Sequence, residues 1–149
     1  MNPQTIVVAM PTEEAFMPSI SRWGHEYSWT HKEVHFVHVI EKYVRVSDMG
    51  IEDLPDRNTV EILKRKTLDF IKNKAKEMMP ATAFKKAHFE VIFAQSPAEQ
   101  IAEYARAINA GLIVIATRNK HGFSGLFLSS FADRILKLSS CDVLVLRQN

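Results

Sequence analysis

The side chains best suited to chemistry lie in the C-terminal third of this sequence, where Arg118, Asn119 and Lys120 precede a glycine-containing stretch and Ser129-Ser130 opens an amphipathic pattern. Cationic and amide donors beside a helix start suit an anion, because the first amides of a helix lack partners and its amino end carries partial positive charge. The same residues also make an ordinary helix cap and a polar surface loop, so residue chemistry alone leaves both readings open. Cys141 is the one cysteine, has no histidine placed beside it, and reads as a small packed side chain. Of the six histidines, His35 and His38 stand three apart in a strand pattern and so face opposite sides, while His25 and His31 lack ligand spacing. No metal site is expected. With no GxSxG, no intact Walker loop and no suggestive carboxylate pair, no enzyme is expected either.

These residues need a scaffold, and alternating apolar runs supply one. Strand patterns occur at Thr5–Met10, Val34–Ile40, His88–Ala94, Leu112–Ala116 and Asp142–Arg147. The first and the last two are almost uninterrupted in apolar character, as strands covered on both faces are. His88–Ala94 alternates less clearly and reads as nearer an edge. A first helix is expected over roughly Glu13 to Ser28, interrupted by Pro18 and Gly24. A second runs from Asn58, with Glu61 forming a capping box, to about Met79 before Pro80. Ser96-Pro97-Ala98-Glu99 starts a third that Ala110-Gly111 stops, and a last one spans about Ser129 or Ser130 through Leu138 with Phe131, Ile135 and Leu138 facing in. Lys42–Arg57 has no sustained period and reads as a long loop.

This alternation predicts one α/β domain over residues 1–149, a doubly wound parallel sheet of five strands with helices on both faces and right-handed crossovers. Ligands of such sheets bind beyond the carboxyl ends of the strands, where the winding reverses. With the first strand central, that rule points to Met10, Pro11 and Thr12 and to Ala116, Thr117, Arg118 and Asn119.

The composition, 46% hydrophobic and 24% charged, is that of a folded protein. Nineteen basic against 17 acidic side chains leave +2, so nucleic acid is not an expected partner. The basic run Lys64-Arg65-Lys66 and Lys72, Lys74 and Lys76, broken by Asp69 and Glu77, reads as a solvated helix face. A single cysteine excludes an intrachain disulfide, and the run Ile6 to Met10 is too short for a leader core or a membrane span. A cytoplasmic protein that meets no membrane is the expectation. Val143–Leu146 makes a strongly apolar last strand, and an uncovered edge of that kind invites pairing with another chain.

Leu112 to Arg147, LIVIATRNKHGFSGLFLSSFADRILKLSSCDVLVLR, together with the helix start Ser96-Pro97-Ala98-Glu99 and the step Ala110-Gly111, resembles the universal stress protein family. The resemblance implies the nucleotide-binding alpha-hydrolase-like fold with strand order 3-2-1-4-5, and a homodimer formed through the last strands. Members that bind ATP carry a glycine at the end of the fourth strand, a second shortly after, and a third followed by Ser or Thr. Those positions fall here at Ala116, Asn119 and Ser129, with Ser130 as the final hydroxyl. The acidic residue such members have after the first strand falls at Pro11, and their glycine before the third helix at Gln95. Glycine matters there because a Cβ blocks close approach to a phosphate and positive φ, for which Asn is the best substitute. The implied function is a small regulatory stress-response module with a degraded ATP motif. The alternative it implies is an ATP or AMP switch, in which Asn119, Ser129 and Ser130, flanked by Arg118, hold phosphates while Pro11, Thr12 and Val39 border the adenine. Gly122 and Gly125, with Phe123, Leu126 and Phe127, mark a segment suited either to folding over the crevice or to packing against a partner.

Overall fold

The computed structural model describes residues 2–117 and 130–147. Strands β1 (Asn2–Ala9), β2 (Glu33–Glu41), β5 (His88–Ala94), β6 (Ala110–Thr117) and β7 (Asp142–Arg147) form one parallel sheet in the order β5-β2-β1-β6-β7. Counting only these five, the order is 3-2-1-4-5, as expected. His88–Ala94 is indeed an edge, and Asp142–Arg147 is the other. The pleat sends alternate side chains to opposite faces, and β1 shows it: Ile6 and Val8 join one core, Val7 the other.

On the first face, helices α1 (Met17–Glu26) and α2 (Arg57–Met78) lay Met17, Ile20, Ile71, Ala75 and Met78 over Phe36 and Val114. Trp29 closes that core, its indole N–H donating to the Gly24 carbonyl at 2.9 Å. On the second face, α4 (Pro97–Ala107) and α5 (Ser130–Leu138) place Ala98, Ile101, Ala105, Ala132 and Ile135 over Val37, Ile113 and Ile115. Among the described residues no buried side-chain nitrogen or oxygen lacks a partner, and no helix is long and apolar enough to cross a membrane.

Several local expectations are corrected. The supposed loop after β2 holds a hairpin, β3 (Tyr43–Ser47) against β4 (Gly50–Leu54), closed by cross-strand pairs such as Val46 with Ile51. Its alternation is too short, and too exposed on both faces, to leave a periodic signal. Helix α2 is capped by Asp56, whose carboxylate accepts from the Thr59 amide at 2.8 Å, in place of Asn58. Ser96 sits at the N-cap of α4 without a side-chain bond, and Glu99 pairs with Arg134 of α5 instead of returning to the cap. A 3₁₀ turn at Glu14–Phe16 delays α1 to Met17, so that Pro18 falls in its first turn, where its missing amide costs nothing. After α4 the chain turns at Asn109, which takes φ of 56°, and Ala110-Gly111 already belong to β6. Between Ser130 and Leu138 the buried pair is Ala132 and Ile135, with Phe131 half-buried against that core, while Leu138 is more than one-third exposed. A four-residue helix α3 (Ala81–Phe84) follows Pro80.

Candidate functional site

Since β2 and β5 lie on one side of β1 and β6 and β7 on the other, the winding reverses between β1 and β6. The crevice there is built by the way β1 ends. Beyond Ala9 the Met10 amide still bonds the Val37 carbonyl at 2.8 Å, and the Met10 carbonyl accepts from Nδ1 of His38 at 2.7 Å. The next residue, Pro11, has no amide to offer, so the chain leaves the sheet and turns into the 3₁₀ segment through Thr12 and Glu13.

The resulting cavity holds about 290 Å³. Its walls are chiefly apolar: Met10, Pro11, Phe16, Val39, Ile101, Ala116 and Phe131 contribute, with Thr12, Glu13 and His38 as the polar lining. Burial pushes the His38 imidazole below its ordinary range, partly offset by the bond to Met10. Because the carbonyl can only accept, Nδ1 carries the proton and Nε2 is the ring's acceptor. The described lining therefore presents one carboxylate, Glu13, and a neutral imidazole. A wider and more open groove of about 930 Å³ adjoins the crevice, sharing Pro97 and Phe131 and running along α5 past Ser130, Asp133, Arg134 and Lys137. Of its charged side chains, Lys137 pairs with Asp133 at 2.7 Å, Arg134 pairs with the neighbouring Glu99, and Glu41 accepts from the Tyr43 hydroxyl. Volume favours the groove; the strand ends and the enclosed apolar walls favour the crevice.

Of the residues expected from sequence, Pro11, Thr12, Val39 and Ala116 meet in the crevice, and Ser130 stands in the adjoining groove as the first residue of α5. Arg118, Asn119 and Ser129, and the whole Gly122–Gly125 segment, lie outside the described residues. Sequence reasoning missed His38 and Glu13 as crevice residues. The signal for His38 was its place near the carboxyl end of β2, one strand from the switch point. His35 and His38 do turn to different partners, Tyr104 and the Met10 carbonyl, but strand register also sets His88 beside His35, a neighbour that spacing along one strand cannot reveal. Cys141 is half-buried among the core residues of the second face, as expected.

Comparison with known proteins bears on this geometry. The sequence profile described as the Universal stress protein family matches residues 3–147. Universal stress protein YxiE of Bacillus subtilis is 32% identical over 121 residues, which cover 77% of this chain and 79% of that protein. Universal stress protein MJ0531 of Methanocaldococcus jannaschii is 35% identical over 88 residues, 59% of this chain, and the match spans 50% of that relative's length. Among solved structures, the hypothetical protein PH0823 superposes with a TM-score of 0.73 at 21% identity, over 98% of this chain and 96% of that one. A universal stress protein from Archaeoglobus fulgidus in complex with dAMP gives a TM-score of 0.59 at 16% identity, over 97% and 98% of the two chains. At such identities the structural likeness is one of fold.

Proposed function

Because the chain belongs to the universal stress protein family, we propose that it acts as a homodimeric, non-catalytic regulatory module whose crevice holds ATP weakly or not at all. The observation that carries this reading is the crevice lining: Pro11 offers neither amide nor carboxylate where β1 ends, and Ala116 keeps a Cβ at the end of β6. A phosphate chain finds no backbone donor from Pro11 there, and the Ala116 Cβ limits its approach to the backbone. The sequence positions Ala116, Asn119 and Ser129, where glycines are expected in ATP binders, support the same conclusion. The dimer would form through Val143–Leu146, since β7 is an edge of the sheet that pairs, among the described residues, with β6 alone.

A second reading is favoured by His38. Its neutral ring and the apolar walls of Val39, Ile101 and Phe131 suit a flat nucleobase, and the Archaeoglobus fulgidus relative was solved with dAMP. In that reading the chain is an ATP or AMP switch, with Asn119, Ser129 and Ser130 holding the phosphates. Calorimetric titration with ATP and Mg²⁺, with AMP and with inorganic phosphate separates the two. The first reading expects no saturable heat below millimolar ligand. Micromolar ATP binding that Ser130→Asp abolishes would overturn it and establish the switch.

A further inference from the structure

At the amino ends of β2 and β5, across the sheet from the crevice, three side chains converge that none of the chemistry above uses. Glu33 and His35 are two apart on β2 and so share a face, and the parallel register sets His88 of β5 directly beside His35. Nε2 of His35 lies 3.3 Å from Oε1 of Glu33, and Nε2 of His88 lies 3.8 Å from the same oxygen. All three candidate donor atoms fall within 4.8 Å of one another, a grouping found only here among the described residues.

We propose that Glu33, His35 and His88 form a binding site for a divalent transition ion of the zinc type, unrelated to the nucleotide crevice. Two imidazole nitrogens and one carboxylate oxygen are a ligand set that zinc uses, with a further position left to solvent. Magnesium and calcium prefer oxygen donors throughout and do not fit. Ligand atoms around a tetrahedral ion with bonds near 2.0–2.2 Å stand about 3.3–3.6 Å apart, so the Glu33–His35 spacing of 3.3 Å already matches, the Glu33–His88 spacing of 3.8 Å is a few tenths of an ångström wide, and the two histidines stand within the 4.8 Å that bounds the group.

The surroundings prepare the donors. Nδ1 of the buried His35 lies 2.9 Å from the Tyr104 hydroxyl, and the Thr5 hydroxyl donates to Oε2 of Glu33 at 3.3 Å, which leaves Oε1 to face the two rings. With the site empty, Nε2–H of His35 donates to Glu33 and Nδ1 accepts from Tyr104. With an ion on Nε2, the proton moves to Nδ1 and the Tyr104 oxygen accepts it, so one hydroxyl serves both states. Such an outer partner fixes ring orientation at metal sites. The His35 and His88 rings are stacked with centroids 4.3 Å apart, so the His88 ring must turn for its lone pair to converge. Its side chain is more than half exposed and has the room to do so.

The test is titration of the full chain with zinc chloride against a chromophoric chelator at neutral pH, repeated on His88→Ala and Glu33→Gln. Both positions are exposed, so folding is retained, and far-ultraviolet dichroism checks that it is. One zinc per chain is expected, weakened at least about tenfold by either change, as loss of a metal ligand or its partner does. Cobalt substituted for zinc should give the visible absorption of a low-coordinate nitrogen and oxygen site, lost in His88→Ala. His25→Ala and His31→Ala should leave binding unchanged. Zinc affinity that neither His88→Ala nor Glu33→Gln alters, or no stoichiometric binding to the parent chain, would overturn the proposal and leave a stacked, hydrogen-bonded histidine pair.

Discussion

Individual residues here act through what they exclude as much as through what they contact. His35 and His38 are both held below the ordinary histidine value of 6.5, chiefly by burial. As pH falls through that value the unfolded chain takes up their protons before the folded one, so the folded state loses stability from there down to the lower folded values. We expect a lower urea midpoint at about pH 5.5 than at about pH 7.5. His38→Asn, which keeps an N–H donor for the Met10 carbonyl, should narrow that gap; a parent protein indifferent to pH in this range would contradict the assignment. Gly111 shows exclusion by geometry. A Cβ there would stand 2.5 Å from the Asn2 carbonyl oxygen and 2.6 Å from Pro3 Cα, both backbone, whereas at Gly24 it meets the side chain of Met78, Sδ at 2.6 Å and Cγ at 2.9 Å. Gly111→Ala should therefore cost about 1–3 kcal/mol by denaturant titration. Gly24→Ala should cost less, since a side chain instead of backbone must shift and alanine improves the helix by up to about 1 kcal/mol.

Elements differ in how firmly they are held. The sheet strands β1 and β6 are buried on both faces, while the hairpin β3–β4 leaves Val46, Met49 and Ile51 at least three-quarters exposed and carries a solvent-exposed ion pair, Arg45 with Glu52 at 2.8 Å. Isolated two-stranded hairpins are marginal in water and exposed pairs add little. Amide exchange of 43–47 and 50–54 is expected to be faster than that of β1 and β6 by orders of magnitude, and comparable protection would show that something covers the hairpin. The start of α2 depends on the Asp56 carboxylate, held below its usual range first by the Thr59 amide. Asp56→Ala should lower the thermal midpoint and Asp56→Ser restore most of it. Because that carboxyl is depressed, its contribution is present above the unfolded value and is lost as pH falls through the folded one.

At the scale of the whole molecule the feature that bears on assembly is the edge at β7. Val143–Leu146 is half-buried, with Val143 and Val145 on one face of the sheet and Leu144 and Leu146 on the other, so its side chains serve the monomer's cores while its outer backbone remains to pair. Light scattering is expected to give twice the 17.0 kDa of one chain. In that dimer the β7 amides should exchange more slowly than those of β5, the opposite edge; a monomer mass with equal exchange at both edges would count against the pairing.

The sequence by itself determined the five strands of the parallel sheet and the helices between them, because runs buried on both faces and amphipathic helices are local patterns that survive in one dimension, whereas the strand order came with the family resemblance and the exposed β3–β4 hairpin left no such pattern. It also determined that Pro11 and Ala116 stand where β1 and β6 end. Only the tertiary structure decided which chemistry those ends frame. Glu13 reaches the crevice through a 3₁₀ turn, His38 through a bond to the end of a neighbouring strand, and Phe131 from a helix beyond. Likewise Glu33, His35 and His88 become neighbours only through the register of β2 on β5. The physical reason is the same in each case: a contact between strands distant in sequence is set by how the cores pack, and a shift of one residue would turn His88 to the other face.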